Sequence, residues 1–236
     1  MSQIKLFSAS ILSLLCLSVT HAKNVTHDNF KVLNQITDQP TLLKDGEYKG
    51  NYYVPSTLKT IQWGYLPNRD AKPVLTVASG STVTFDTISH EGLLEDQGRN
   101  VEKYFKSKGV NSEQILSDAQ KITASDLKHD FHKDGPHIVT GPLAITGAEP
   151  GDILKVEVIK VEPRVPYGVI SNRHGKGALV GAFEKKMQQA NASAEHPERF
   201  GNVSIFTPIE KNTQGEYEGV LKTENGKAIR FPLYPF

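Results

Sequence analysis

Cys16 is the only cysteine in a chain of 236 residues, so any reactive centre in the body must be built from histidine, carboxylate or hydroxyl groups. Three stretches concentrate them. Residues 126–137 hold His129, Asp130, His132, Asp134 and His137. Imidazole and carboxylate are the metal ligands that remain when thiolate is absent, although such a charged run is more often a solvated loop. His137 stands apart because Gly135-Pro136 precedes it and Ile138-Val139 follows. It sits at a strand start, either as a ligand or as a histidine satisfied by backbone carbonyls.

The second stretch is Asp86-Thr87-Ile88-Ser89-His90-Glu91-Gly92, followed by Glu95-Asp96-Gln97-Gly98. A strand that delivers polar residues at its end and then breaks at a glycine places them on a rigid edge, where ligands and acid–base groups are often held. The same residues also suit a capping cluster for a helix beginning near Glu95. If the strand persists, His90 and Glu91 point to opposite faces. The third stretch runs from Pro163 through Ser171-Asn172-Arg173-His174-Gly175-Lys176-Gly177. This basic, glycine-rich loop suits a polar substrate or a carboxylate product, with Asn172, Arg173 and His174 as its contact residues. It is not a phosphate loop: Ile170 stands where the first motif glycine belongs and Gly177 where the hydroxyl residue belongs. No Gly-x-Ser-x-Gly elbow occurs, so serine-based acyl transfer lacks support.

The elements that must position these groups are mostly β. Residues 74–77 and 81–88 are β-branched runs around Ala78-Ser79-Gly80 and predict a hairpin. Residues 141–145 and 152–161 predict a second hairpin around Pro150-Gly151, a pair that suits a type II turn. Alternation over 153–161 predicts a half-solvated antiparallel strand with one apolar and one charged face. Asn225-Gly226 marks a final hairpin. Helices are predicted over 95–108, over 112–120 with Ser112 as N-cap, and over 181–192. The fold class is therefore mostly β with helical insertions (α+β).

Composition bounds the rest. Lys+Arg of 27 against Asp+Glu of 26 leaves a net charge of +1, too small a field to gather nucleic acid. Residues 1–22 combine Lys5, a short apolar run from Ile11 to Leu17 and Thr20-His21-Ala22, the pattern of a cleaved signal peptide. The apolar run is shorter than the ~20 residues of a spanning helix. A periplasmic or secreted protein without a membrane anchor is expected, with 23–44 as an irregular leader and 45–236 as the folded body. Phe231-Pro232-Leu233-Tyr234-Pro235-Phe236 ends the chain without a cap or charged tail. That ending reads as an interruption that leaves apolar surface for a partner.

Three sets of residues taken together resemble the acetamidase/formamidase family. They are Thr60-Ile61-Gln62-Trp63-Gly64; Pro73 to Gly80 with Asp86 and His90; and His137-Ile138-Val139-Thr140-Gly141-Pro142 leading to Gly147-Ala148-Glu149-Pro150-Gly151-Asp152. The resemblance covers about residues 44–236 and corresponds to the N-terminal half of the family. It implies an antiparallel β-sandwich or barrel-like domain, incomplete at its C-terminus, that hydrolyses short linear amides to a carboxylate and ammonia. Metal assistance is implied as well, by a divalent ion, zinc first and calcium second. Such chemistry needs an activated water, an anchor for the carbonyl oxygen and a proton donor for the amine. His90 and His137 are the expected ligands, Glu91 the expected base, and Asp86 or Asp96 a ligand or its orienter. The isolated chain is expected to be inactive and to associate with itself or with a separately encoded C-terminal half. The rival class is an exported, non-enzymatic β domain that grips a small amide or carboxylate.

Overall fold

The computed structural model describes residues 32–35, 37–42, 51–173 and 189–233. Eleven short strands dominate them: β1 Thr41–Leu42, β2 Tyr52–Val54, β3 Ile61–Trp63, β4 Leu75–Val77, β5 Val83–Phe85, β6 Ile138–Thr140, β7 Leu143–Ile145, β8 Tyr167–Asn172, β9 Val203–Lys211, β10 Tyr217–Lys222 and β11 Ala228–Pro232. Two short helices, α1 Val101–Lys106 and α2 Ser117–Thr123, lie between β5 and β6. The fold is mostly β with helical insertions, and no closed barrel forms among the described residues. No described helix is long and apolar enough to cross a membrane.

The largest sheet is antiparallel, in the order β11-β10-β9-β8, with Ser171 opposite Ser204 where β8 meets β9. The β10–β11 hairpin turns at Asn225-Gly226 as predicted, with Thr223 N–H donating to Lys227 O at 2.9 Å and Gly226 at φ 80°. The other two predicted hairpins do not form. Ser81 N–H closes the turn on Ala78 O at 3.2 Å, but β4 then pairs in parallel with β7 and β5 in parallel with β2. Asp152 N–H likewise closes on Glu149 O at 3.1 Å with Gly151 at φ 110°, the expected type II geometry. Beyond that turn, however, 153–161 pairs with no described strand. Local turn chemistry was correct in both places, and long-range pairing took the flanking strands elsewhere.

The first predicted helix is split. A 3₁₀ turn, Glu95–Gln97, ends at Gly98 (φ 87°) and Arg99 (φ 44°), and Asn100 then caps α1 by accepting from Lys103 N–H at 2.8 Å. The second is also split, into a 3₁₀ turn at Ser112–Gln114 and α2, with Asn111 rather than Ser112 in the N-cap position. Of the third, 181–188 lies outside the described residues and 189–192 is not helical.

One apolar cluster joins these parts: Ile61 and Trp63 of β3, Leu93 and Leu94, Val101 and Phe105 of α1, Ile122 of α2, and Tyr167 of β8. Leu93 and Leu94 are each only 1% exposed. Their burial pins the 90–97 segment to the core, at about 2–5 kcal/mol for truncation of either leucine. The polar residues on both sides of them are thereby held in place.

Candidate functional site

The 90–97 segment lies against the end of β8 and the start of β9, and there the structure assembles a buried polar cluster. Along β8, alternation turns Tyr167, Val169, Ser171 and Arg173 the same way, while Ile170 and Asn172 face outward and are exposed. Ser171 Oγ donates to Glu91 Oε1 at 2.6 Å, and Arg173 Nη1 lies 3.0 Å from Ser171 Oγ and 3.4 Å from Glu91 Oε1. On its other side the guanidinium meets Asp96, with Nε 2.6 Å from Oδ2 and Nη2 3.3 Å from Oδ1. Asn202 Nδ2 donates to Asp96 Oδ2 at 3.0 Å.

His90 Nε2 is 3.1 Å from Glu91 Oε1 and 3.4 Å from Arg173 Nη1. Nε2 cannot both accept from the guanidinium and donate to the carboxylate; assigning it to the shorter contact, with Glu91, places the imidazole proton on Nε2 and the lone pair on Nδ1. The His90 and His137 rings meet edge to face, with centroids 5.1 Å apart. Gln97 fixes Glu91 from behind: its Nε2 donates to Glu91 Oε2 and lies 2.9 Å from Ser204 Oγ and 3.1 Å from Tyr104 Oη, two acceptors for its second proton, while its Oε1 accepts Gly92 N–H at 2.6 Å. Burial alone would raise the Glu91 pKa. Hydrogen bonds from His90, Ser171 and Gln97, with the Arg173 charge, outweigh it and bring the carboxyl to about 2.

Of the expected site residues, the structure brings together His90, Glu91, Asp96, Arg173 and, at the exposed rim, His137. It places Asp86 elsewhere. Tyr53 Oη donates to Asp86 Oδ2, and Arg164 Nη2 lies 3.3 Å from that oxygen while Arg164 Nη1 donates to Asp118 Oδ2 at 2.6 Å. Burial raises the Asp86 pKa against the Tyr53 hydrogen bond and the Arg164 charge. Asn172 is on the outer face of β8, and His174 lies outside the described residues.

The 126–137 run resolves into a turn and a packed histidine. Asp130 accepts from His132 N–H and Asp134 from Asp130 N–H, whereas His129 is buried, stacked on Trp63 at 4.4 Å, with Nε2 2.8 Å from Gly135 O. A cleft of about 540 Å³ borders this run, lined by Glu95, Arg99, Asp126, Lys128, His129 and Asp130. It does not include His90, Glu91 or Arg173.

A structural or catalytic divalent ion needs three or more donors with free lone pairs. No group of three or more His, Cys, Asp or Glu residues able to hold a metal occurs among the described residues. Guanidinium groups occupy Asp86 and Asp96, and Glu91 is bonded on both oxygens. The described donor set does not fit a complete metal centre, and only the imidazoles of His90 and His137 stand side by side.

Residues 105–227, just over half of the chain, match the acetamidase/formamidase family. The chain belongs to that family. The matched span contains His137, Ser171, Arg173, Asn202 and Ser204, while His90, Glu91 and Asp96 precede it. Neither the curated proteins nor the solved structures searched contain a match to this acetamidase/formamidase chain. The family supports amide hydrolysis as the general activity. Sequence reasoning found the histidines and carboxylates of the cluster and placed Gln97 and Ser171 in its polar stretches without a role, but missed Tyr104, Asn202 and Ser204 as part of the frame. Ser204 meets Gln97 across 107 positions, a separation that no local motif encodes.

Proposed function

We propose that this chain hydrolyses short linear amides to a carboxylate and ammonia at the cluster of His90, Glu91 and Arg173. The observation that carries the proposal is the contact of His90 Nε2 with Glu91 Oε1 at 3.1 Å; with the proton assigned to Nε2, Nδ1 keeps its lone pair. Water adding to an amide carbonyl must lose a proton, and the departing amine must gain one. Imidazole, which ordinarily titrates near neutrality, is suited to both transfers. His90 takes the water proton at Nδ1 and returns it to nitrogen as the C–N bond breaks. With a pKa of about 2, Glu91 is a weak base at neutral pH, so it serves as the fixed anion that sets the His90 tautomer and stabilises the imidazolium. Arg173 supplies a fixed positive charge favourable to the oxyanion and to the carboxylate product.

Metal assistance by zinc or calcium at His90 and His137 is the alternative form of the proposal, in which His90 Nδ1 would hold the ion instead of taking the proton, and its third donor would have to come from outside the described residues. A periplasmic or secreted location, with cleavage after Ala22, belongs to the same proposal. An acceptor, an orienting carboxylate and a fixed cation already stand together, so ammonia release is expected of the chain itself, contrary to the sequence-based expectation of inactivity. The completeness of the network favours one other reading: a preorganised binding site that holds an amide or carboxylate without turnover.

The test is ammonia release from formamide and acetamide by the full chain, in chelator and with added zinc or calcium. Release above the water blank that is lost in His90→Gln supports the proposal, and dependence on an added ion supports its metal part. Binding of acetamide without release would replace hydrolysis with the binding reading.

A further inference from the structure

Beyond the Pro150-Gly151 turn the chain carries nine residues, Asp152-Ile153-Leu154-Lys155-Val156-Glu157-Val158-Ile159-Lys160, whose sequence is that of a strand and which have no strand partner among the described residues. No described strand pairs with them, and no backbone hydrogen bond links residues 153–161 to another described residue. Their side chains are uncovered on both faces: Ile153 is 96% exposed, Val156 73% and Ile159 65%. A run rich in β-branched residues, free of proline and glycine and without backbone hydrogen bonds to other described residues, is a template for strand addition. Apolar exposure of this extent marks an interface.

The identity of the partner is written in the charges. When the segment is laid antiparallel on a second copy of itself with Val156 opposite Val156, every residue meets a suitable one. Asp152 faces Lys160, Ile153 faces Ile159, Leu154 faces Val158 and Lys155 faces Glu157, and the two-fold axis repeats each pair. This register is singular. Centring the axis on Glu157 sets Glu157 against Glu157, and centring it on Lys155 sets Lys155 against Lys155. The one-residue slips oppose Lys155 to Val156 or to Val158. A parallel in-register pair stacks all four charged residues on their own copies. Like charges directly opposite are destabilising, so one arrangement is selected.

We propose that residues 152–160 form an isologous interface between two copies of this chain, a continuous antiparallel pair of strands centred on Val156. The claim is independent of the His90 site. A two-stranded ribbon alone is marginal in water, so the dimer is concentration-dependent and its register is what identifies it.

Sedimentation and light scattering on the full chain test it, together with two sets of variants. Lys155→Glu opposes like charges at two symmetric positions and is expected to weaken dimerisation at least tenfold. The exchange Lys155→Glu with Glu157→Lys restores the complement and is expected to recover it. In a Cys16→Ser background, Val156→Cys should form a disulfide-linked dimer on mild oxidation, because each copy's residue faces its own equivalent at a distance a disulfide spans. Leu154→Cys should not, because its equivalents lie four residues apart along the strand, about 13 Å. A monomer at all concentrations would overturn the proposal, as would association insensitive to the charge reversal, failure of the exchange to restore it, or equal cross-linking at 154 and 156.

Discussion

Gly64 follows β3 at φ +97°, in the left-handed region that glycine enters freely. Its N–H donates to His137 O and its carbonyl accepts Gly135 N–H, both at 3.0 Å, so this residue fastens the end of β3 to the loop that leads into β6. An alanine Cβ there would lie 2.7 Å from Asp134 Cβ and 3.3 Å from Gly135 O. Asp134 has little freedom to move away, since its carboxylate accepts Asp130 N–H at 2.8 Å. The left-handed backbone costs an alanine about 1–2 kcal/mol, and overpacking against a fixed Cβ about 1–3 kcal/mol. Gly64→Ala should therefore destabilise the chain by about 2–5 kcal/mol, measured as a lowered midpoint in urea unfolding. The two contributions separate in a double-mutant cycle with Asp134→Gly. That second change removes the clashing Cβ, so the double variant should lose the steric part of the penalty and retain the backbone part. A Gly64→Ala protein within about 0.5 kcal/mol of the parent, or a cycle with no coupling, would refute the reasoning.

Arg164→Met should destabilise the chain by about 3–5 kcal/mol, because it strands the carboxylates of Asp118 and Asp86, whose side chains are 1% and 11% exposed; a melting temperature equal to that of the parent would count against the pair. Glu91 predicts an acid limb in the stability of metal-free protein. Its folded pKa of about 2 lies below the ordinary 4.5, so its stabilisation is complete above about pH 5.5 and is lost as pH falls towards 2. The amount is on the order of 2 kcal/mol after solvent screening. Urea unfolding from pH 7 to pH 3 should show a shallower decline in Glu91→Gln than in the parent, and parallel curves would remove Glu91 as the cause.

What the sequence disclosed depended on distance along the chain. The Asn225-Gly226 hairpin was legible because its turn and both strands are contiguous, and Pro150-Gly151 was legible as a turn for the same reason. Strand partners were not: β4 finds β7 and β5 finds β2, and β-branched composition says that a segment will pair without saying with what. In the site, His90 and Glu91 stood out because polar residues at a strand end before a glycine are conspicuous. Arg173 was visible as part of a basic loop, but its ion pair with Asp96 was not, and neither were Ser204 and Asn202, which reach the cluster from β9 and its approach. Asp86 was misplaced because nothing adjacent to it in sequence announces Arg164. His129 looked like one member of a charged run until Trp63 supplied a ring to stack on.

Arg164 also holds the leader. Its Nε donates to Leu33 O at 2.9 Å, and its own carbonyl accepts Leu33 N–H at 2.9 Å, a clasp between residues 131 positions apart. Beside it, Gln35 Nε2 reaches Ser56 O at 2.7 Å. During synthesis Leu33 leaves the ribosome long before Arg164 does, and at ordinary elongation rates of roughly 5–20 residues per second the delay is on the order of ten seconds. Throughout that interval the clasp cannot close, and Leu33 is without its Arg164 partner. The fold thus carries a clock set by the position of one arginine.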